Sequence, residues 1–326
     1  MTAGNQRSAP ASATDSGRSC CVPARRDGVS ARRAVPPSAV GLGAHGVEQV
    51  HIPGGPLAMG DHHGDGKTED GETPVHTVQV SPFVIDATCV TNDDFAAFAA
   101  ATGYRTESER FGLSAVFHLA VHARRSDVLG RSGEAPWWLG VRGADWAHPG
   151  GLLSDVDGLG DHPVVHVSWN DALAYCEWTG RRLPTEAEWE LAARGGLVGA
   201  RYPWGDELGP EWECNIWQGD FPHQNTGEDG YLTTAPVRTY RPNGHGLWQV
   251  VGNVWEWCAD RYDAGYYAVS ATTDPRGPDS GAERVLRGGS YLCHDSYCNR
   301  YRVAARSGNT PDSAMGNAGF RTVAMS

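Results

Sequence analysis

The chain of 326 residues carries 27 Lys and Arg against 39 Asp and Glu, which gives a formal net charge of −12 at pH 7. This acidic balance argues against a nucleic-acid partner, because binding to the phosphate backbone needs clustered cations. No run approaches the roughly 18 apolar residues that cross a bilayer, and residues 1–33 lack the apolar core of a secretory signal. We therefore expect a cytoplasmic protein without membrane contact. The sequence does not determine the oligomeric state, and a monomer is the expectation.

Residues 1–45 are rich in Ser, Ala, Arg, Pro and Gly and nearly lack aromatic side chains. Such a segment has too little apolar surface to offset the entropy cost of ordering. We predict a disordered N-terminal tail at 1–45, followed by one domain at 46–326. The adjacent Cys20 and Cys21 have no further metal ligand beside them, and we assign them no role.

The domain is predicted to open with a β-hairpin. Polar and apolar residues alternate over 76–80 (HTVQV), the period of a strand. A first helix is predicted where polar capping residues from Thr91 onwards precede the apolar run 95–100, and Gly103 ends it.

Two further helices are predicted from their capping residues. Ser168 precedes the run 172–179, which Gly180 ends. Thr185 caps the next helix, and Glu188 three residues later completes a capping box.

The remaining segments suggest little regular structure. Residues 105–165 show no clear period, and we predict a long ordered loop that carries part of a surface cleft. Beyond Gly195, turn-forming residues recur every few positions, so elements there should be short. The prediction is a single α+β domain of low regular secondary-structure content.

Cys293 and Cys298 are the first candidate site. On an α-helix, residues five apart point about 140° away from each other, so the two thiols converge only if the segment bends. Converging thiolates suit Cu(I), whereas zinc would need two more ligands that no nearby motif supplies. Two buried apolar cysteines or a redox disulfide fit the spacing too. Nearby cations favour the thiolate form: Arg287, Arg300, Arg302 and Arg306.

Two segments rich in oxygen donors are candidate cation sites. Residues 215–219 and 225–231 space such donors among glycines, which can wrap Ca²⁺. The pattern is not an EF-hand, and a turn network without metal explains it as well. In 249–257, Glu256 lies among aromatic residues and, if buried, must be paired, protonated or bound to a metal.

Taken together, these segments resemble the formylglycine-generating enzymes, or sulfatase-modifying factors, of bacterial type. The resemblance covers residues 47–326, with matching strings at 182–190 (RLPTEAEWE), 202–205, 215–219, 225–230, 252–257 (GNVWEW), 287–302, 304–310 and 319–321. Several strings are shared by a wider superfamily of this fold, which has C-type-lectin-like relatives. Cys293 and Cys298 in GSYLCHDSYC, followed by RSGNTPDS, are the specific part.

The resemblance implies a copper-dependent oxidase that acts on a sulfur group with O₂ as acceptor. It would convert the cysteine of a Cys-X-Pro-X-Arg motif in a sulfatase to Cα-formylglycine, which activates the sulfatase. Cys293 and Cys298 would hold Cu(I), and the substrate thiol would join them as a third ligand.

Other site residues follow from the same resemblance. Ser290 and Trp255 would lie beside the oxygen pocket, and Asn317 and Arg306 would shape the peptide cleft. The first structural calcium site would comprise Asn215, Ile216, Asp229 and Tyr231. The second would comprise Gln249, Gly252, Val254 and Glu256, although many relatives have Asn where Gln249 stands.

Three rival functions remain. A non-heme iron sulfoxide synthase would need a three-histidine site, but the histidines at 51, 62, 63 and 76 form no HxxxHxE-like run. A non-catalytic binding module would not need both thiols. A cofactor-free thiol oxidoreductase could use the same pair.

Overall fold

The computed structural model describes residues 23–24, 41, 43–133 and 135–325. Most of the predicted disordered tail at 1–45, including Cys20 and Cys21, lies outside these residues. The described residues just before 46 contact the domain. The backbone N–H of Gly43 donates to the Trp178 carbonyl at 2.9 Å, and His45 Nε2 lies 2.7 Å from Asp86 Oδ1.

The described ranges contain four α-helices: α1 (Asn92–Thr102), α2 (Glu107–Phe111), α3 (Trp169–Thr179) and α4 (Glu186–Ala193). The structure confirms the three predicted helices. Thr91, Ser168 and Thr185 each form the N-cap of a complete capping box. These caps satisfy backbone N–H groups of the first turn, which is why the helices begin where the sequence indicates.

Fifteen short strands occur in the same ranges: β1 (Gln49–Ile52), β2 (Gly55–Met59), β3 (His76–Val80), β4 (Phe83–Asp86), β5 (Leu113–Phe117), β6 (Val128–Arg131), β7 (Trp138–Arg142), β8 (Arg181–Arg182), β9 (Gly219–Asp220), β10 (Gln224–Asn225), β11 (Trp255–Arg261), β12 (Arg284–Arg287), β13 (Arg306–Asn309), β14 (Ala318–Gly319) and β15 (Val323–Ala324). The predicted strand at 76–80 is β3, and it pairs antiparallel with β2. The α+β fold of low regular content is confirmed.

The prediction of a long loop at 105–165 is wrong in part. This stretch contains α2 and a three-stranded sheet in the order β5-β7-β6. Polar and apolar residues do not alternate clearly here, because β6 is largely exposed and a bulge between Val128 and Gly130 shifts the register of its pairing with β7. Backbone pairing between the strands stabilises this sheet, although their sequences show no clear alternation of polar and apolar residues.

A second sheet, in the order β13-β12-β11-β14, brings the candidate site residues together. Arg287 at the end of β12 pairs with Glu256 at the start of β11 and with Arg306 at the start of β13. Trp255 pairs with Ala318 at the start of the parallel strand β14. The segments that follow β12 and precede β14 therefore meet at one end of this sheet.

The core is rich in aromatic side chains, and Trp189, Trp217, Trp255 and Trp257 are all buried. None of the helices in the described part of the chain is both long and apolar enough to cross a membrane.

Candidate active site

A network of buried ion pairs fixes α4 to the end of the second sheet. Arg287 contacts Glu186 at 2.8 Å and Glu190 at 2.6 Å, and Arg306 Nε donates to Glu186 at 2.8 Å. Burial raises the pKa of Glu186, but the charges of Arg306 and Arg287 outweigh it and hold the pKa below its usual value. The carboxylate is therefore ionised and bound on both sides.

Two glycines carry the chain from β12 into the site. Gly288 and Gly289 have φ angles of +90° and +73°, which disfavour residues with a side chain. A Cβ atom on Gly289 would lie 2.3 Å from the Arg300 carbonyl oxygen. The two glycines allow the backbone to pass close to Arg300, and the residues that follow, Ser290 to Cys293, are buried.

The two candidate thiols lie on either side of a turn. The backbone N–H of Cys293 donates to the Ser290 carbonyl at 2.9 Å, and that of Cys298 donates to the His294 carbonyl at 3.0 Å. Asn299 then adopts a φ of +49°, which ends the turn. Both side chains are buried and carry thiols rather than a disulfide. The segment thus bends, as convergence of the thiols requires. We name residues 290–298 the thiol turn.

The four arginines near the thiols in the sequence are paired with carboxylates. Each of the four arginines has a carboxylate partner: Glu186 and Glu190 for Arg287, Asp70 for Arg300, Glu72 for Arg302 and Glu186 for Arg306. These pairs balance the positive charges. The contact that favours a thiolate is instead the backbone N–H of Ser290, which donates to Cys293 Sγ at 3.4 Å.

Arg306 is also placed differently from the prediction that it shapes the peptide cleft. It is completely buried, and its guanidinium stacks on Tyr267 with 4.3 Å to the ring centroid. Because its donors are taken by Glu186 and by backbone carbonyls, it has a structural role in this arrangement.

Ser290 and Trp255 are both hydrogen-bonded to Asn317. Asn317 Nδ2 donates to Ser290 Oγ at 3.0 Å, and the backbone N–H of Trp255 donates to the Asn317 carbonyl at 2.8 Å. The Trp255 indole is fully buried, and its N–H has no acceptor among the described residues. A buried donor of this kind is available to a ligand.

Aromatic residues that the sequence analysis did not assign flank the thiol turn. The backbone N–H of Trp217 donates to the Cys293 carbonyl at 3.0 Å. The ring of Phe221 stacks on Tyr297 at 4.5 Å, and Trp137 meets Tyr297 edge-on at 5.0 Å. We call Trp137, Trp217, Phe221 and Tyr297 the aromatic wall. The sequence signal for it was the high content of tryptophan. The aromatic wall keeps the thiols in apolar surroundings.

A cavity of about 650 Å³ lies between the β5-β7-β6 sheet and residues 312–314. Its floor is joined to β5, because Ser114 Oγ donates to the Ala314 carbonyl at 2.9 Å and Gly316 N donates to Ala115 O at 3.1 Å. Three residues beyond Ala314 the same chain reaches Asn317. We call this cavity the cleft.

The first predicted calcium site retains oxygen donors in suitable chemical form. Asn215 uses its amide nitrogen to bind the Thr233 carbonyl at 2.8 Å, which leaves its amide oxygen for another partner. Asp229 accepts hydrogen bonds from Tyr240 OH at 2.8 Å and from the backbone of Tyr231 at 3.0 Å. Amide, carboxylate and carbonyl oxygens are the ligands that Ca²⁺ prefers.

The second predicted calcium site does not fit. Both carboxylate oxygens of Glu256 accept hydrogen bonds from Arg321, at 2.6 Å and 2.7 Å. Trp189 Nε1 adds a third donor at 2.7 Å. Because the guanidinium already neutralises this buried carboxylate, a divalent cation would be placed beside a fixed positive charge.

The fold and the thiol turn define a single-domain α+β protein in which two buried thiols and an indole lie near a cleft. Residues 40–326 match the sulfatase-modifying factor enzyme 1-like domain, and the chain belongs to this family.

The formylglycine-generating enzyme of Streptomyces coelicolor is 68% identical over 275 residues, which cover 84% of this chain and 88% of that protein. A bovine relative named inactive C-alpha-formylglycine-generating enzyme 2 is 47% identical over 279 residues, 84% of this chain and 87% of its own length. The structure of PvdO from Pseudomonas aeruginosa superposes with a TM-score of 0.62 at 25% identity, over 84% of this chain and 93% of PvdO.

Proposed function

We propose that this chain is a copper-dependent formylglycine-generating oxidase. It converts the cysteine of a Cys-X-Pro-X-Arg motif in a sulfatase to Cα-formylglycine with O₂. The observation that supports this most directly is the thiol turn, which holds Cys293 and Cys298 as buried thiols within an aromatic wall. A cytoplasmic location and a monomeric state stay predictions.

The chemistry of the thiol turn fits copper. Thiolates are soft ligands that select Cu(I), and burial of Cys293 and Cys298 protects such a site from bulk water. When bound, copper supplies soft coordination for the substrate thiol and activation of O₂, which protein side chains alone do not provide.

Ser290 is the group of this chain best placed to donate a proton or hydrogen bond in the site. Its oxygen accepts from Asn317 at 3.0 Å, so its single hydroxyl hydrogen stays available to a developing negative charge. Trp255 and the aromatic wall exclude water, which strengthens such a hydrogen bond. Calcium at Asn215 and Asp229 would have a structural role.

A non-catalytic role is the alternative, because a bovine relative named as inactive is 47% identical. A direct assay is therefore needed. A synthetic Cys-X-Pro-X-Arg peptide is incubated with the full chain, O₂ and a thiol reductant, with and without one equivalent of Cu(I). We expect a copper-dependent loss of about 18 Da, the difference between CH₂SH and CHO.

Matched variants locate the chemistry. Cys293→Ala and Cys298→Ala should abolish the conversion. Cys214→Ala should retain it, because Cys214 is equally buried but lies in another segment. An unchanged peptide with copper-loaded, folded protein would leave a binding module as the better account. Conversion without copper would favour a cofactor-free thiol oxidoreductase.

A further inference from the structure

Two residues of the N-terminal segment lie in the cleft. Pro23 and Ala24 line the cavity of about 650 Å³ together with Leu113, Trp138 and Ser313. The side-chain amide of Asn309 donates to the Pro23 carbonyl at 3.4 Å. Pro23 is half-buried, whereas Ala24 is exposed. The cleft therefore contacts a piece of its own chain.

The sequence around this contact has the form of the proposed substrate. Residues 21–25 read Cys-Val-Pro-Ala-Arg, which matches Cys-X-Pro-X-Arg at all three fixed positions. The proline of the pattern is Pro23, one of the two residues seated in the cleft. Cys20 lies one position too early to belong to the pattern, so the segment contains its own internal control.

Two series of contacts connect the cleft to the thiol turn. Its floor continues from Ala314 to Asn317, which hydrogen-bonds to Ser290. In its wall, Trp138 follows Trp137, whose ring contacts Tyr297, the residue before Cys298. Cys21 is two positions from Pro23 in the sequence, and two residues of chain span at most about 7 Å.

The connection to the domain permits binding within one chain. Residues 25–40 link Ala24 to Gly41, whose backbone N–H donates to the Glu177 carbonyl at 2.8 Å. A tether of this length reaches at most about 55 Å when extended. A tethered segment that can span the two sites reaches an effective concentration on the order of millimolar. Such a segment would compete with a separate peptide.

We propose that residues 21–25 are a substrate segment for this chain's own cleft and that Cys21 is converted to formylglycine in cis. The inference rests on the proposed function. Cys21 loses two electrons and two protons from its C–H and S–H bonds, and an added dithiol supplies two further electrons and two protons as it forms a disulfide. O₂ is thereby reduced to two molecules of water, and hydrolysis of the resulting C=S bond gives the aldehyde and H₂S.

The experiment is mass spectrometry of the full chain after incubation with Cu(I), O₂ and dithiothreitol. Trypsin releases residues 19–25 (SCCVPAR) as one peptide. We expect this peptide to lose about 18 Da, with fragment ions that assign the loss to Cys21 and leave Cys20 unchanged. Cys293→Ala should show no loss.

Variants in the segment test the motif without disturbing the domain. Cys20→Ala should retain conversion of Cys21, and Pro23→Ala should slow it at least tenfold. A rate constant that is unchanged over a tenfold range of protein concentration would support reaction in cis. An apparent first-order rate constant that rises in proportion to protein concentration would show reaction in trans and overturn it.

The two proposals fail in distinguishable ways. A synthetic Cys-X-Pro-X-Arg peptide is added to the same sample. If it is converted while Cys21 keeps its mass, the inference about residues 21–25 is wrong and the proposed function stands. If neither is converted, the proposed function fails, and the inference falls with it.

Discussion

Asn317 Nδ2 donates a hydrogen bond to Ser290 Oγ at 3.0 Å, although the two residues are 27 positions apart in the chain. The contact joins the segment after β12 to the segment before β14. It orients the serine hydroxyl, because the oxygen is used as an acceptor and the hydrogen must point elsewhere.

We predict that Ser290→Ala lowers kcat roughly 100-fold, the usual effect of removing one donor to a developing charge. Asn317→Ala should lower kcat about tenfold, because it orients the donor without replacing it. The double variant should equal Ser290→Ala, since the two residues act through one hydroxyl. Steady-state assays with the peptide measure kcat for the two single variants and the double variant. Melting temperatures show whether each variant is folded. Strictly multiplicative losses would show independent roles.

The prediction of the fold succeeded for three helices whose starts are decided by local chemistry, although the similar capping box at Thr106, which starts α2, was missed. The capping boxes at Thr91, Ser168 and Thr185 mark helix starts because cap and helix residue lie three positions apart. The sheet β5-β7-β6 was missed because its strands owe their form to partners distant in sequence.

The same distinction applies to the site. The thiols could be named from the sequence, but the carboxylate partners of the arginines could not. Arg306 and Glu186 are 120 positions apart, and no local pattern indicates that they meet. The match of residues 21–25 to the substrate pattern was visible in the sequence. It gained meaning only when Pro23 was found in the cleft.

Gly289 is predicted to be indispensable for placing the thiol turn. Gly289→Ala introduces a Cβ atom 2.3 Å from the Arg300 carbonyl oxygen, at a φ that disfavours alanine. We expect a loss of stability of about 2 kcal/mol or more, together with loss of peptide conversion.

Gly227→Ala is the control, because its φ of +63° carries a similar backbone cost but no heavy atom lies within 4 Å of the added Cβ. Thermal unfolding of both variants separates the close contact from the backbone conformation. Equal losses would exclude the contact as the cause.

Calcium is predicted to stabilise the chain through Asp229 rather than Glu256. Chelation of calcium should lower the melting temperature of the parent protein by several degrees, as loss of a ligand from the native state does. Asp229→Asn should melt at the lower temperature with or without calcium. Glu228→Gln is the control, because its exposed side chain is adjacent but outside the predicted ligand set. A calcium response that survives in Asp229→Asn would place the ion elsewhere.

Asp260 is predicted to make the fold less stable as pH rises. Burial, with the charge of Glu186 as a second cause, raises the pKa of this carboxyl from 3.8 to about 8. The folded state therefore holds a proton that the unfolded state releases above pH 4. The stabilisation is complete below pH 4 and is lost progressively as the pH rises to about 8. Asp260→Asn removes this titration, while its amide oxygen can still accept a hydrogen bond from the Glu186 backbone N–H, which lies 2.8 Å from the carboxylate in the parent protein.

Denaturant unfolding at pH 5 and pH 8 should show the variant gaining stability over the parent at the higher pH. The exposed Asp279→Asn should follow the parent at both values. Parallel curves for parent and Asp260→Asn would mean that the Asp260 carboxyl is already ionised in the folded protein near pH 5.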